Sequence, residues 1–354
     1  MTDLPPPVPG AAPAAPATRV VELPYHRLYR ANPTYAWWRP LVAVIVAAAA
    51  FLLVSTVLAV IVMVVLIANG TLSLETASSP EELTELLLPD MAQPWTLVFG
   101  LGSIIAVLPF VPLALRIAGI RPAGPRLSVL HSVLFRLRWR WLFDTLAWSA
   151  LLWTAITAVQ LGIGFATGEQ LAEFSLDAGT YLVSLVLVLL LVPVQAATEE
   201  YLYRGVLLQS IGSWVRVAAV AIVLSTLAFA FSHAYDVWGI VQVAIMGAGL
   251  AIVTIRTGGL EAAISLHTVN NIGTFAIIGT GVFSGGETGM STETGGPIGV
   301  IGQVVTLGLW MLLIEWRARR AGVDRVARVE VPASHVVPGA REVPSVHPAA
   351  PGMP

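Results

Sequence analysis

The sequence predicts an all-α protein, a polytopic membrane helical bundle of about eight transmembrane helices. Three observations predict it. The chain is 56% hydrophobic and only 11% charged, whereas a soluble domain carries about a quarter charged residues. Apolar runs of roughly the 20 residues that span a bilayer recur along its middle. Arginine-bearing and acidic connections alternate between those runs, as they do when a chain crosses a membrane repeatedly.

The eight runs are 41–68, 95–117, 141–165, 181–197, 216–234, 238–256, 260–279 and 298–316. The fourth carries Pro193, which removes a backbone donor and predicts a kink, and it continues as a polar-interrupted helix to about Gln209. Trp37, Trp38, Trp95, Trp141, Trp238 and Trp316 stand at run edges, where interfacial anchors belong.

Charge placement orients the bundle. Arg19, Arg27, Arg30 and Arg39 precede the first run, and the following loop holds Glu75, Glu81, Glu82, Glu85 and Asp90 without a basic residue. Arg116, Arg121, Arg126, Arg136, Arg138 and Arg140 fill the next connection, and Glu169, Glu173 and Asp177 the one after it. Arg216 and Arg256 continue the series, Glu287 and Glu293 lie before the last run, and Arg317, Arg319 and Arg320 follow it. The positive-inside rule then places both termini in the cytoplasm. The acidic, Pro/Ala-rich start does not read as a signal peptide, and without a eukaryotic targeting signal the expected location is a bacterial plasma membrane.

Outside the membrane domain (36–321), two tails are expected to be disordered: a Pro/Ala-rich cytoplasmic tail over 1–35 and a second over 322–354 with Val-Pro repeats and scattered arginine. The net charge of −2 argues against a nucleic-acid partner. The chain has no cysteine, which excludes disulfides, thiolate metal sites and a cysteine nucleophile.

Ionisable groups inside a bilayer cost about 3 kcal/mol each on insertion scales, so they persist where they pair or work. Three segments carry them. In Thr198-Glu199-Glu200-Tyr201-Leu202-Tyr203-Arg204, Glu200 and Arg204 are four apart on one helix face and can pair. Glu199 stands about 100° away and is left without that partner; it is either a general base or one member of a structural ion-pair cluster. His233, with Phe229 one turn before it, falls in the fifth run; taken alone, it fits a hydrogen-bonded structural histidine better than a catalyst. His267 and Asn271 are again four apart, on one face of the seventh run. They serve equally as oxyanion donors or as interhelical polar glue. At about 1.5 Å per residue, Glu199 lies roughly 20 Å above the turn near Gly212, Asn271 roughly 18–20 Å above Gly258 and His233 roughly 27 Å above Trp214. Three polar faces at similar depth predict one cavity.

The remaining polar positions read more plainly. Asp144 and Glu315 are interfacial, and Glu261 complements a helix N-terminus. Gln195, Gln242 and Gln303 hydrogen-bond between helices, and Gly247 and Gly249 permit close helix approach.

The motifs Glu199-Glu200-x-x-x-Arg204, Phe229-x-x-x-His233 and His267-x-x-x-Asn271, in that order and each in an apolar run, resemble those of the CPBP family, the CAAX-protease, bacteriocin-processing or Abi proteins. The resemblance covers about 181–278 and implies a CAAX-protease-like core and an intramembrane endopeptidase. It implies that Glu199 and His233 activate a water, that His267 and Asn271 hold the oxyanion, and that Glu200, Arg204 and Phe229 support them. The implied partners are membrane lipids and a peptide or protein substrate, with or without a lipid anchor. Family members are often labelled metalloproteases. If zinc is bound, Glu199, His233 and His267 are its expected ligands; the absence of His-Glu-x-x-His and the presence of Asn271 favour no metal and no other cofactor. Two other readings of the same residues are a non-catalytic membrane scaffold or bacteriocin-immunity protein of this fold, and a proton-coupled transporter, against which the lack of an inverted repeat counts.

Overall fold

The structure is a computed structural model that describes residues 18–120, 127–166, 172–282, 287–290, 296–335 and 337–344. Arg121, Arg126, Glu169 and Glu293, with the outer parts of both tails, lie outside these residues.

The chain opens with strand β1 (Thr18–Pro24) and a 3-10 turn (Tyr25–Ala31). Helix α1 (Trp38–Ala68) follows, then the short α2 (Leu74–Ser78) and α3 (Pro80–Leu87). Helices α4 (Pro94–Ile105) and α5 (Phe110–Ile117) are the second apolar run, broken by tight turns at 106–109 ahead of Pro109. Next come α6 (Ser128–His131), α7 (Trp139–Ala166) and α8 (Ala178–Glu200). A π-helical segment (Tyr201–Leu207) joins α8 to α9 (Leu208–Trp214). The bundle is completed by α10 (Ala218–Ala230), α11 (Val237–Thr257), α12 (Glu261–Ile278) and α13 (Gly296–Ala321), before strands β2 (Val326–Pro332) and β3 (Arg341–Val343).

All eight expected runs are helical, and the protein is a polytopic helical membrane bundle. Among the described residues, six helices are long and apolar enough to cross a membrane. Two runs fall short for different reasons. The fifth forms only the 13-residue α10, because the chain turns after Ala230. The seventh forms the full 18-residue α12, but Glu261, His267, Asn270 and Asn271 lower its apolarity.

The expectation of two disordered tails needs correcting over 18–31 and 326–343. Strand β1 lies between β2 and β3 in an antiparallel sheet, with Val21 opposite Val329 and Val20 opposite Val343. The strands alternate: Val21 and Leu23 on β1 and Ala327 and Val331 on β2 are buried while their neighbours face out. This small apolar face, with Tyr25, Leu28 and Tyr29, packs with Leu208 and Ile211 of α9 into one core. Tyr25 donates its hydroxyl to the Leu130 carbonyl, and Arg30 Nε donates to the Ser213 carbonyl at 2.6 Å.

The segment 178–214 is continuously helical through Pro193 and the π-helical stretch, about 55 Å along its axis at 1.5 Å per residue. That exceeds the roughly 30 Å of bilayer hydrocarbon, and the excess is the α9 end wrapped by the terminal cap. The arginine-bearing connections converge at this same end. Arg39 donates to the Gly119 carbonyl, and Arg138 to the Thr257 and Asp324 carbonyls at 3.0 and 3.1 Å, while forming a buried ion pair with Glu261 at 2.6 Å. At the opposite end Asp90 and Thr288 join two acidic loops through a 2.8 Å hydrogen bond.

Candidate active site

Three helices position the polar groups. Helix α8 packs between α4 and α12, and α12 also contacts α7 and α11. The backbone of α11 comes close at Gly247, where an added Cβ would lie 3.0 Å from the Phe229 ring and 3.3 Å from the Arg204 guanidinium. Gly249 does the same for α13, with Leu307 at 2.5 Å from such a Cβ. Both glycines thus act as the close-approach points expected of them.

The π-helical segment begins directly after Glu199-Glu200. Such widened turns are frequent at functional sites. The Glu200–Arg204 pair survives across it, Arg204 Nη1 donating to Glu200 Oε1 at 2.9 Å, with both side chains almost wholly buried. Arg204 also donates from Nη2 to the Gly247 carbonyl at 3.0 Å and stacks over the Phe229 ring at 4.3 Å. A buried guanidinium with this many partners is a fixed strut.

His267 joins the two acids. Its Nδ1 lies 2.8 Å from Glu200 Oε1 and its Nε2 lies 3.4 Å from Glu199 Oε2. Glu200 thus holds an imidazole as well as an arginine. Glu199 is not wholly unpartnered, since Gln195 Nε2 donates to its Oε1 at 2.7 Å. Its Oε2 is buried without a hydrogen-bond partner among the described residues.

The position of His233 differs from expectation. It lies in the turn beyond α10, half-buried, and not inside a membrane helix. Its Nδ1 is 2.9 Å from the Phe229 carbonyl. A carbonyl only accepts, so Nδ1 is the donor in this contact, and in a neutral ring with that tautomer Nε2 is the acceptor. The Phe229 ring is a hub, edge-on to His233 at 4.8 Å, to Tyr203 at 5.1 Å and to His267 at 5.9 Å. Asn271 donates from Nδ2 to Gln195 Oε1 at 3.4 Å and accepts from Asn270 Nδ2 at 3.2 Å.

Glu199, His233, His267, Asn271 and Phe229 line one cavity of about 300 Å³. Gln195, Tyr235 and Asn270 share it, and its walls continue through Leu101 and Ile104 of α4 and Val243 and Met246 of α11. Glu200 and Arg204 stand behind it. Gln195 makes the interhelical hydrogen bond expected of it, accepting from Asn271 of α12, and it also donates to Glu199, four residues on, a contact that helical spacing alone could have suggested. Asn270 and Tyr235 gave no signal beyond proximity to a motif.

Among the described residues no three His, Asp or Glu side chains are grouped so as to hold a metal ion. The three expected zinc ligands share the cavity, and His233 and His267 turn Nδ1 to the Phe229 carbonyl and to Glu200 respectively, which leaves Nε2 of each ring for any metal.

This is a helical membrane protein with a small polar chamber inside an apolar bundle. Residues 180–273 match the family model described as type II CAAX prenyl endopeptidase Rce1-like. The family is one of membrane proteases, and the matched segment contains every residue of the three motifs, so the resemblance to CAAX-type proteases is borne out over that stretch. Neither curated proteins nor solved structures gave a match.

Proposed function

We propose that the protein is an intramembrane endopeptidase that hydrolyses a peptide bond of a membrane-associated protein or peptide, using Glu199 and His233 to activate water and His267 and Asn271 to stabilise the oxyanion. One observation carries the reading: among the described residues the buried Glu199 Oε2 makes no hydrogen bond and has only His267 Nε2 near it, at 3.4 Å, while Glu199 lines a cavity shared with two imidazoles and an amide.

The chemistry follows from the donor and acceptor inventory. A water in the cavity gives its proton to Glu199 while His233 Nε2 accepts its second hydrogen bond and aims the lone pair. Attack on the peptide carbonyl moves negative charge onto its oxygen. Asn271 Nδ2 has a second N–H to offer, and His267 offers Nε2. Glu199 then returns its proton to the leaving amine. Because the site is set in apolar surroundings, these few donors act at reduced dielectric and need little reorganisation.

The arginine-rich connections that gather at the end holding both terminal segments support a cytoplasmic position for that end. The test uses the full chain in proteoliposomes with a quenched fluorogenic peptide ending in a prenylated Cys-aliphatic-aliphatic-X sequence, and its unprenylated twin as control. Wild type should cleave, and Glu199→Gln and His233→Ala should not, while both variants keep the wild-type thermal midpoint. Undiminished cleavage by both variants would end the reading.

A further inference from the structure

We propose that Gln195 and Asn270 are positioning residues that, with Asn271, form a one-way relay of amide hydrogen bonds ending on the Glu199 carboxylate. The inference rests on the hydrolytic reading of the cavity and assigns work to two side chains outside the three motifs.

Each link fixes the next. An ionised carboxylate only accepts, so Gln195 must present Nε2 to Glu199, which it does at 2.7 Å. Its Oε1 then points the other way and needs a donor, which Asn271 Nδ2 supplies at 3.4 Å. With its nitrogen turned to Gln195, Asn271 exposes Oδ1 on its other side, where Asn270 Nδ2 donates at 3.2 Å. The polarity runs Asn270, Asn271, Gln195, Glu199 without reversal, and it crosses from α12 to α8. Gln195 is 4% exposed and Glu199 is 6% exposed, so water competes little for these groups.

Two consequences concern the reaction. The relay engages Oε1 of Glu199 and leaves Oε2 outside it, 3.4 Å from His267 Nε2. It also holds the Asn271 amide in the orientation that leaves its second N–H for an oxyanion. The same amide turned end for end would present a carbonyl oxygen and repel that charge.

Two near-isosteric variants test this. Gln195→Met keeps length and apolar volume but removes both links. Asn270→Asp puts an acceptor where the relay starts with a donor, and so favours the reversed Asn271 amide. On the fluorogenic peptide, both should lower kcat about ten- to hundredfold, the cost of misplacing reacting groups by about 1 Å, with KM within about threefold. Unchanged kcat, or a loss confined to KM, overturns the positioning role.

A second readout needs no turnover. The chain has seven glutamines, and with 15N-glutamine labelling in nanodiscs the Gln195 side-chain amide is identified by its loss in Gln195→Met. That resonance should move in Asn270→Asp, a residue Gln195 does not touch directly. A stationary resonance overturns the relay whether or not wild type cleaves the peptide. A moving resonance with no wild-type cleavage removes the protease reading and leaves the relay standing.

Discussion

Glu200 Oε1 accepts from Arg204 Nη1 at 2.9 Å and also lies 2.8 Å from His267 Nδ1, so one carboxylate oxygen ties the π-helical segment to α12. The two adjacent acids therefore differ in kind. Glu200 is a fully buried junction, and Glu199 opens onto a cavity.

That difference is measurable. Glu200→Ala leaves the Arg204 guanidinium buried without its counter-charge, and breaking such a pair costs about 3–5 kcal/mol. Glu199→Gln keeps the shape and the link to Gln195 and should change stability by less than about 1 kcal/mol. Thermal or denaturant unfolding in detergent should separate the two, with Glu200→Ala far less stable and Glu199→Gln near wild type. Equal losses would mean the acids share one structural role.

A glycine in the cap offers a second test. A Cβ on Gly212 would lie 2.1 Å from the His26 carbonyl oxygen. That atom is backbone and cannot swing aside, so Gly212→Ala must push the 3-10 turn off α9. Overpacking of this kind costs about 1–3 kcal/mol. Limited proteolysis should cut the terminal segments of this variant faster than those of wild type. An unchanged digestion rate would show that the cap does not depend on this contact.

The cap also sets a pH dependence. His26 is 4% exposed, and burial, with Arg27 beside it, pushes its imidazole down from the usual 6.5 to about 4. Above pH 6.5 the ring is neutral whether folded or unfolded and contributes no pH dependence. As pH falls from 6.5 to about 4 the unfolded chain binds a proton that the fold refuses, so stability is lost across that window, by up to about 1.4 kcal/mol per unit. Below about 4 the loss levels off. In His26→Gln the fall in thermal midpoint between pH 7 and 4.5 should be smaller than in wild type. An identical fall would assign the acid sensitivity to other groups.

Chelation gives a third kind of evidence. Activity routed through Glu199 and His233 without a metal should survive EDTA dialysis unchanged. Loss on dialysis with recovery on adding zinc would move the chemistry to a metal.

Much of this arrangement was legible in the sequence, because bilayer physics makes buried charge rare. Glu199, Glu200, Arg204, His267 and Asn271 stood out against apolar surroundings, and simple helical spacing paired Glu200 with Arg204. The place of His233 is less legible: nothing in an unbroken apolar run marks that α10 stops at Ala230, and a depth counted along that run follows a helix that does not extend so far. The terminal strands were missed for a different reason. Val326–Pro332 carries the period-two pattern of a half-buried strand, but a strand needs a partner, and that partner lies at the far end of the chain. Local pattern shows the capacity to pair and not the pairing.

Arg19 and Glu342 form an ion pair across 323 positions of sequence, beside strands whose hydrogen bonds join the two ends of the chain. During synthesis β1 emerges first and must wait for every membrane helix to be inserted before β2 and β3 exist. The sheet is thus a clasp that closes only after the bundle between its strands has been made, and a chain cut short anywhere within the bundle leaves it open.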